Sequence, residues 1–251
     1  PKPHTMPLTL YRRLLESLAA EGYHVDFIEY CGQGEPLAHP QFSEFVRLGR
    51  EILPRTRQRL VTNGNYSYAA KPDGWVPDEI YVSADGAFQE TYAQYRVRGN
   101  LERALAFLAD AAAERGPVRP LSVWKYILFN FNDSPEELRS AQDFAIRHGI
   151  DMLMFVLTKT EWKSMRWTPE TYPEILLHAP NARLSLVPDF LRDSVHDKPV
   201  AGARLSRMAG DNWSVIAEHL DVLWAYPGMI SVKGWARAQD PDDSVLDVRV
   251  T

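Results

Sequence analysis

Cysteine is almost missing from this chain, with Cys31 the single one among 251 residues. One thiol forms no internal disulfide and no all-cysteine metal site. Together with the lack of a signal-peptide pattern at the start, this points to the cytoplasm. Long apolar runs are missing too. None reaches the roughly 18 residues of a membrane-spanning helix, so no membrane partner is expected. Nor is there a surplus of basic charge: 28 Lys and Arg stand against 33 Asp and Glu, for a net charge of −5. That balance leaves no electrostatic footprint for nucleic acid. The short basic stretches RRLLES and PRTRQR sit in helical or pre-strand contexts and read as solvated faces. Internal repeats and low-complexity tracts are absent.

What remains is a chain with 45% hydrophobic and 11% aromatic residues. Such a composition supports a substantial core in one large domain, or one domain plus a fragment of another. Strands and helices alternate along it. LTLYRRLLESLAAEG places Leu10, Leu14 and Leu18 on one helical face, and Gly22 is a natural stop. VDFIEY (25–30) reads as a buried strand, and a helix with Phe42, Phe45, Val46 and Ile52 comes next and runs until Pro54. Further strands are expected at 58–62, 79–84, 121–130 and 152–157. Leu101, Ala104, Leu105, Leu108 and Ala112 form a helix stripe. In DSPEEL, Ser134 caps a helix, Pro135 takes its first position and Glu137 completes a capping box. That helix turns Leu138, Ala141, Phe144 and Ala145 inward.

Near-continuous apolar strands separated by helices predict a parallel sheet with helical crossovers. Residues 65–78 hold Pro72, Gly74 and Pro77 and read as a loop or a much reduced helix. Beyond residue 158 the alternation fades. Segments near 169–178 and 212–224 read as helical, and 181–206 shows no repeat. Three segments are therefore expected: a barrel core over 1–160, a mostly helical extension over 161–228, and the start of a β-rich appendage over 229–251. In that last segment ISVKGWA pairs with SVLDVRV across an Asp-Pro-Asp-Asp turn; a terminal hairpin completing the main domain fits equally.

Polar residues gather at the strand tips: Gln33-Gly34-Glu35, Thr62-Asn63-Gly64, Ser83-Asp85-Gly86, Asn130-Asn132 and Thr158. In barrel-type α/β proteins the C-terminal strand ends form the active face. The first tip, within EYCGQGEPLAHPQF, is the most telling. Gly32 and Gly34 allow close backbone approach, Glu35 offers a carboxylate to a ligand ammonium, and Pro36 fixes φ and hands the chain to the helix.

GQGEPLAHPQF, VTNG, VSADG, the YRVRG turn and YILFNFNDSPEEL, in that order, resemble the radical S-adenosylmethionine enzymes, in the branch with a GxGEP motif. The likeness runs from about residue 8 to about residue 158. It implies a partial (β/α)6 TIM-like barrel whose first strand is missing. It also implies S-adenosylmethionine as cofactor, a [4Fe–4S] cluster in the intact protein, an electron donor such as flavodoxin or ferredoxin, and hydrogen abstraction from an unknown substrate. By this resemblance Gln33, Gly34, Glu35 and Pro36 hold the methionyl amine, with Thr62 and Asn63 beside that end. Ser83 and Asp85 lie near the ribose or carboxylate, and Arg96 or Arg98 meets the carboxylate. Asn130 or Asn132, with the backbone near Leu157 and Thr158, borders the nucleoside.

Plainer roles stay open. Asn63 supplies a turn, Asp85-Gly86 a β-turn, Asn132 the turn before the Ser134 cap, and Arg98 a surface position. His4 and His39 read as structural. Trp124, Tyr126, Trp162 and Trp167 line a pocket or fill the core. No catalytic residue can be named.

The departure from the family lies in the cluster ligands. Family members carry a CxxxCxxC loop whose thiolates hold the cluster, and this chain has none. Those cysteines are expected upstream of Pro1, because the chain opens on a proline in what reads as the exit from that loop. Cys31 is expected to pack as a small hydrophobe. Two other readings compete. One is a cluster-free nucleoside-binding or docking module on the same fold. The other is an unrelated barrel hydrolase using Glu35 and Asp85 as an acid/base pair.

Overall fold

The computed structural model describes residues 6–31, 34–69, 74–168, 170–171, 174–185, 219–226 and 229–235. The chain divides into two units, Pro1–Leu186 and Val187–Thr251.

The first unit is built on six parallel strands in the order of the sequence: β1 (Phe27–Tyr30), β2 (Arg57–Thr62), β3 (Glu79–Ser83), β4 (Leu121–Leu128), β5 (Met152–Leu157) and β6 (Ala182–Leu184). The sheet is open, with β1 and β6 at its edges. Sequential parallel pairing requires a crossover after each strand. The helices are α1 (Leu8–Ala20), α2 (Phe42–Ile52), α3 (Gln89–Tyr95), α4 (Leu101–Ala113) and α5 (Pro135–Arg147). The link from β2 to β3 is irregular where it is described, as its prolines and glycine require. The strand pattern predicted a parallel sheet with helical crossovers, and the open six-stranded sheet agrees with the partial barrel that the resemblance implied.

Alternation across the strands separates two faces. In β4, Ser122, Trp124, Tyr126 and Leu128 are buried, while Lys125 and Ile127 stay partly accessible on the other side. Trp124 and Tyr126 are fully buried, which settles them as core residues, and Phe144 of α5 packs edge-on against Trp124 at 5.7 Å between ring centroids. On the opposite side Arg59 lies between Phe27 and Tyr81, 4.3 Å from each ring centre, and pairs with Glu79 and Glu29 at 2.7 and 3.1 Å. Desolvating the Arg59 stem against two rings while its charge keeps two carboxylates ties β1, β2 and β3 together.

Several local expectations need correction. The buried stripe of α1 is Tyr11 and Leu15, and Leu14 is exposed. Tyr11 wins because its ring stacks on Phe45 at 4.7 Å and its hydroxyl meets that of Tyr30 at 3.0 Å. Helix α3 and strand β6 were not anticipated. Residues 175–178, expected in a helix, are irregular. In the second unit β7 (His219–Tyr226) pairs antiparallel with β8 (Met229–Trp235), with an irregularity between Val222 and Trp224. This overturns the helix expected near 212–224, as far as its residues are described. It also gives ISVKGWA a partner that precedes it, while SVLDVRV lies outside the described residues.

Candidate functional site

Because all six strands are parallel, their C-terminal tips share one edge of the sheet. At the β1 tip Glu35 caps the 3₁₀ turn Pro36–Ala38, accepting the Leu37 N–H at 3.1 Å on Oε1. The same oxygen accepts the Thr62 hydroxyl at 2.7 Å, and Oε2 accepts the Asn63 N–H at 2.8 Å. Three donors on a carboxylate leave acceptor capacity on Oε2 for one more. Gly34 faces open space, with nothing within 4 Å of where a Cβ would stand. Gln33 and Gly32 lie outside the described residues. Cys31 is exposed, against the expectation that it packs inward. It directly follows Tyr30, the last paired residue of β1.

At the β2 tip Thr62 is buried, and its hydroxyl also accepts the Gly64 N–H at 3.1 Å. Gly64 has φ +68°, and a Cβ there would stand 2.9 Å from Val82 Cγ1. Only glycine suits both constraints. Asn63 Oδ1 accepts the Asn65 N–H at 2.8 Å, the turn role open to it from the sequence. Tyr66, unremarked in the sequence, belongs to this corner: burial, followed by the Glu35 charge, raises its phenol above the ordinary value.

The β3 and β4 tips are joined by buried polar groups. Asp85 is fully buried and its Oδ1 accepts the Ile127 N–H at 2.8 Å. Its Oδ2 accepts Arg96 Nε at 2.8 Å, with Arg96 Nη2 at 2.6 Å. Burial raises the Asp85 pKa, opposed by Arg96, the Ile127 N–H and Lys125. Asn132 is fully buried, its Oδ1 accepting the Phe129 N–H at 2.7 Å and its Nδ2 donating to the carbonyls of Asp85 and Ile127 at 3.0 Å each. Both were expected to touch a cofactor. In this structure their polar atoms are engaged inside the protein, where they tie the β3 and β4 tips together.

Arg96 and Arg98 are now distinguished. Arg96 is held by Asp85 and its guanidinium lies 5.0 Å from the Tyr95 ring centre. Arg98 is exposed and takes φ +64° in the turn. Ser83 lies at the end of β3, and among the described residues its hydroxyl has no hydrogen-bond partner. Asn130 is exposed, its N–H donating to the Trp162 carbonyl at 2.9 Å. Leu157 is buried, and Thr158 is half-buried with its hydroxyl accepting the Thr160 N–H at 3.4 Å. Tyr95, Phe129, Phe131 and Trp162 pack together at this end, with Phe129 4.6 Å from Tyr95 and 5.2 Å from Phe131. Trp167 donates its indole N–H to the Asp133 carbonyl at 2.9 Å, a structural use.

A metal cluster is not matched by these residues. No group of three His, Cys, Asp or Glu side chains placed to hold a metal occurs among the described residues, and the chain has one cysteine. An amino-acid ligand is matched better, since Glu35 keeps an acceptor and Gly34 keeps open space.

No protein-family profile and no curated protein sequence matches the chain. Solved structures do. A radical SAM methyltransferase from Sphaerobacter thermophilus is 17% identical with a TM-score of 0.51, the match covering 68% of this chain and 54% of that one. The chain has the fold of a radical SAM enzyme. Streptococcus suis SuiB bound to its precursor peptide SuiA is 13% identical with a TM-score of 0.48, covering 62% of this chain and 34% of that one. The same protein bound to S-adenosylmethionine gives 13%, a TM-score of 0.46, and coverage of 61% and 34%. These two add nothing to the fold conclusion. The matches span about a third to a half of those proteins' lengths. No helix among the described residues is long and apolar enough to cross a membrane.

Proposed function

We propose that residues 1–160 form the S-adenosylmethionine-binding core of a cytoplasmic radical SAM enzyme, the GxGEP corner receiving the methionyl amine. The observation that carries this reading is the Glu35 carboxylate, oriented by three donors from two strand tips and retaining an acceptor site on Oε2. Thr62 and the Asn63 N–H hold the carboxylate still, so a ligand ammonium meets a fixed charge. Gly34 clears the approach. Arg96, clamped by Asp85, presents its remaining N–H groups to the ligand carboxylate. Ser83 offers a hydroxyl, and Asn130 with the backbone at Leu157 and Thr158 borders the nucleoside. Held there and given one electron, S-adenosylmethionine would break its C–S bond, releasing methionine and supplying a carbon-centred radical able to take hydrogen from a substrate. With one cysteine in the chain and no group of three His, Cys, Asp or Glu placed for a metal among the described residues, no cluster ligand is assigned here.

The lone cysteine also favours a second reading, a cluster-free module that binds S-adenosylmethionine or S-adenosylhomocysteine. Calorimetric titration of both compounds into the 251-residue chain tests the shared claim. Binding is expected, weakened roughly 10- to 100-fold by Glu35→Ala, the worth of one charge-assisted hydrogen bond. Equal affinity in both proteins sinks the role of Glu35. A preference for the sulfonium compound supports the enzyme reading, and indifference between the two supports the module.

A further inference from the structure

We infer that Glu137 is a positioning residue for Arg96, a proposal that rests on the cofactor-binding reading above. In the sequence Glu137 completes a capping box with Ser134. The structure keeps only half of that box. Ser134 Oγ accepts the Glu137 N–H at 3.2 Å, but the Glu137 carboxylate crosses to other elements. Its Oε2 accepts the Ala87 N–H at 2.6 Å and the Tyr126 hydroxyl at 2.9 Å, and its Oε1 accepts the Thr91 hydroxyl.

Those partners have a common consequence. Ala87 follows Asp85 and Gly86 in the loop that leaves β3, and Thr91 belongs to α3. Arg96 is the residue that ends α3. Glu137 therefore grips both the entry to α3 and the helix itself, and so fixes where the guanidinium emerges. The loop has little slack: a Cβ on Gly86 would stand 2.7 Å from the Tyr92 nitrogen, and one on Gly99 2.7 Å from the Tyr92 ring. The single Tyr126 hydroxyl proton is shared between Glu137 Oε2 and the Asn132 carbonyl, 2.9 and 2.8 Å from the phenol oxygen.

Chemistry explains why an acid stands here. Three donors converge on one almost fully buried side chain. A carboxylate is acceptor-only, whereas an amide would aim its own N–H groups at some of them. The position within the first turn of α5 further favours negative charge.

The test compares Glu137→Gln with Tyr126→Phe in the full 251-residue chain. Tyr126→Phe removes a donor from the same buried network but leaves Ala87 and Thr91 held. S-adenosylmethionine affinity is read by calorimetry, and amide hydrogen exchange is read over residues 86–99. Glu137→Gln is expected to weaken binding by about 10-fold and to speed exchange in that segment by a similar factor. Tyr126→Phe is expected to lower the melting temperature while affinity and exchange stay within about 3-fold of the parent. Unchanged affinity and exchange in Glu137→Gln overturn the proposal. So does a Tyr126→Phe protein that loses both as strongly, because the network would then act through stability alone. Should Glu137→Gln fail to fold, Thr91→Val releases α3 and carries the same expectation at about 3-fold. Should the parent chain not bind S-adenosylmethionine, the cofactor reading falls while exchange over 86–99 still decides Glu137.

Discussion

Replacing Asp85 by Asn probes the join between the strand tips. The side chain is fully buried and holds Arg96 by Nε at 2.8 Å and Nη2 at 2.6 Å, with the Ile127 N–H at 2.8 Å on its other oxygen. Removing one partner of a buried pair costs about 3–5 kcal/mol. Two features lower that figure here. The Arg96 side chain is 27% exposed, so part of its charge is recovered by water. Burial raises the Asp85 pKa, so the neutral amide is relieved of some desolvation. A loss of about 2–3 kcal/mol is expected, a drop in melting temperature of roughly 4–12 °C for a unit of this size. Urea unfolding of Asp85→Asn, Arg96→Met and the double variant isolates the coupling. If the pair matters as described, the double variant loses clearly less than the two single losses added together. Losses that add to within about 0.5 kcal/mol would refute the pairing.

Two further outcomes rest on the same geometry. Gly86→Ala drives a Cβ to 2.7 Å from the backbone nitrogen of Tyr92; helix backbone cannot yield as a side-chain tip can, so a loss of about 1–3 kcal/mol is expected in denaturant titration. Asp151 supplies a pH test: burial pushes its pKa up, but Arg119 and the N–H and hydroxyl of Ser122 outweigh that and leave it lowered. A lowered carboxyl contributes stability above its unfolded value near 4 and loses it as pH falls through the folded value. Melting curves of the parent and Asp151→Asn should therefore differ at pH 7 and converge below about pH 4. A gap that stays constant with pH refutes the assignment.

The main strands were legible because their runs are long, apolar and closed by turn residues, as in LSVWKYIL and MLMFVL. Strand β6 is three residues, too short to show a period. Helix α3, at seven residues, falls just short of two turns. In the β7 segment Leu220, Val222, Trp224 and Tyr226 alternate with a period of two, so its strand character was present in the pattern and was misread as helical. The cap at Ser134 was readable because its partner is three residues away. The actual partners of the Glu137 carboxylate lie 50 and 46 residues away at Ala87 and Thr91, and only the tertiary fold brings them near. The same holds for Asp85 and Asn132. Their types and places at strand tips suggest ligand contacts, but nothing in the sequence reveals that their polar atoms are satisfied internally.

That distinction matters for function, since a polar residue at a strand tip either meets a ligand or holds the residue that does. Asp85 and Asn132 have internal partners on both polar atoms and no accessible surface. Glu35 keeps an acceptor on Oε2, Arg96 keeps N–H groups beyond those facing Asp85, and Ser83 keeps its hydroxyl. An amino-acid zwitterion needs an anionic acceptor and a cationic donor, and on the proposed reading Glu35 after β1 and Arg96 at the end of α3 are that pair. Each is oriented by neighbours that do not themselves need to touch the ligand: Thr62 and Asn63 for one, Asp85 for the other. Substitutions in the orienting groups should therefore alter affinity through geometry, and conservative replacements should restore it. On the same proposed reading, substitutions in Glu35 or Arg96 take away the charge itself, and no neighbour that only orients them can replace it.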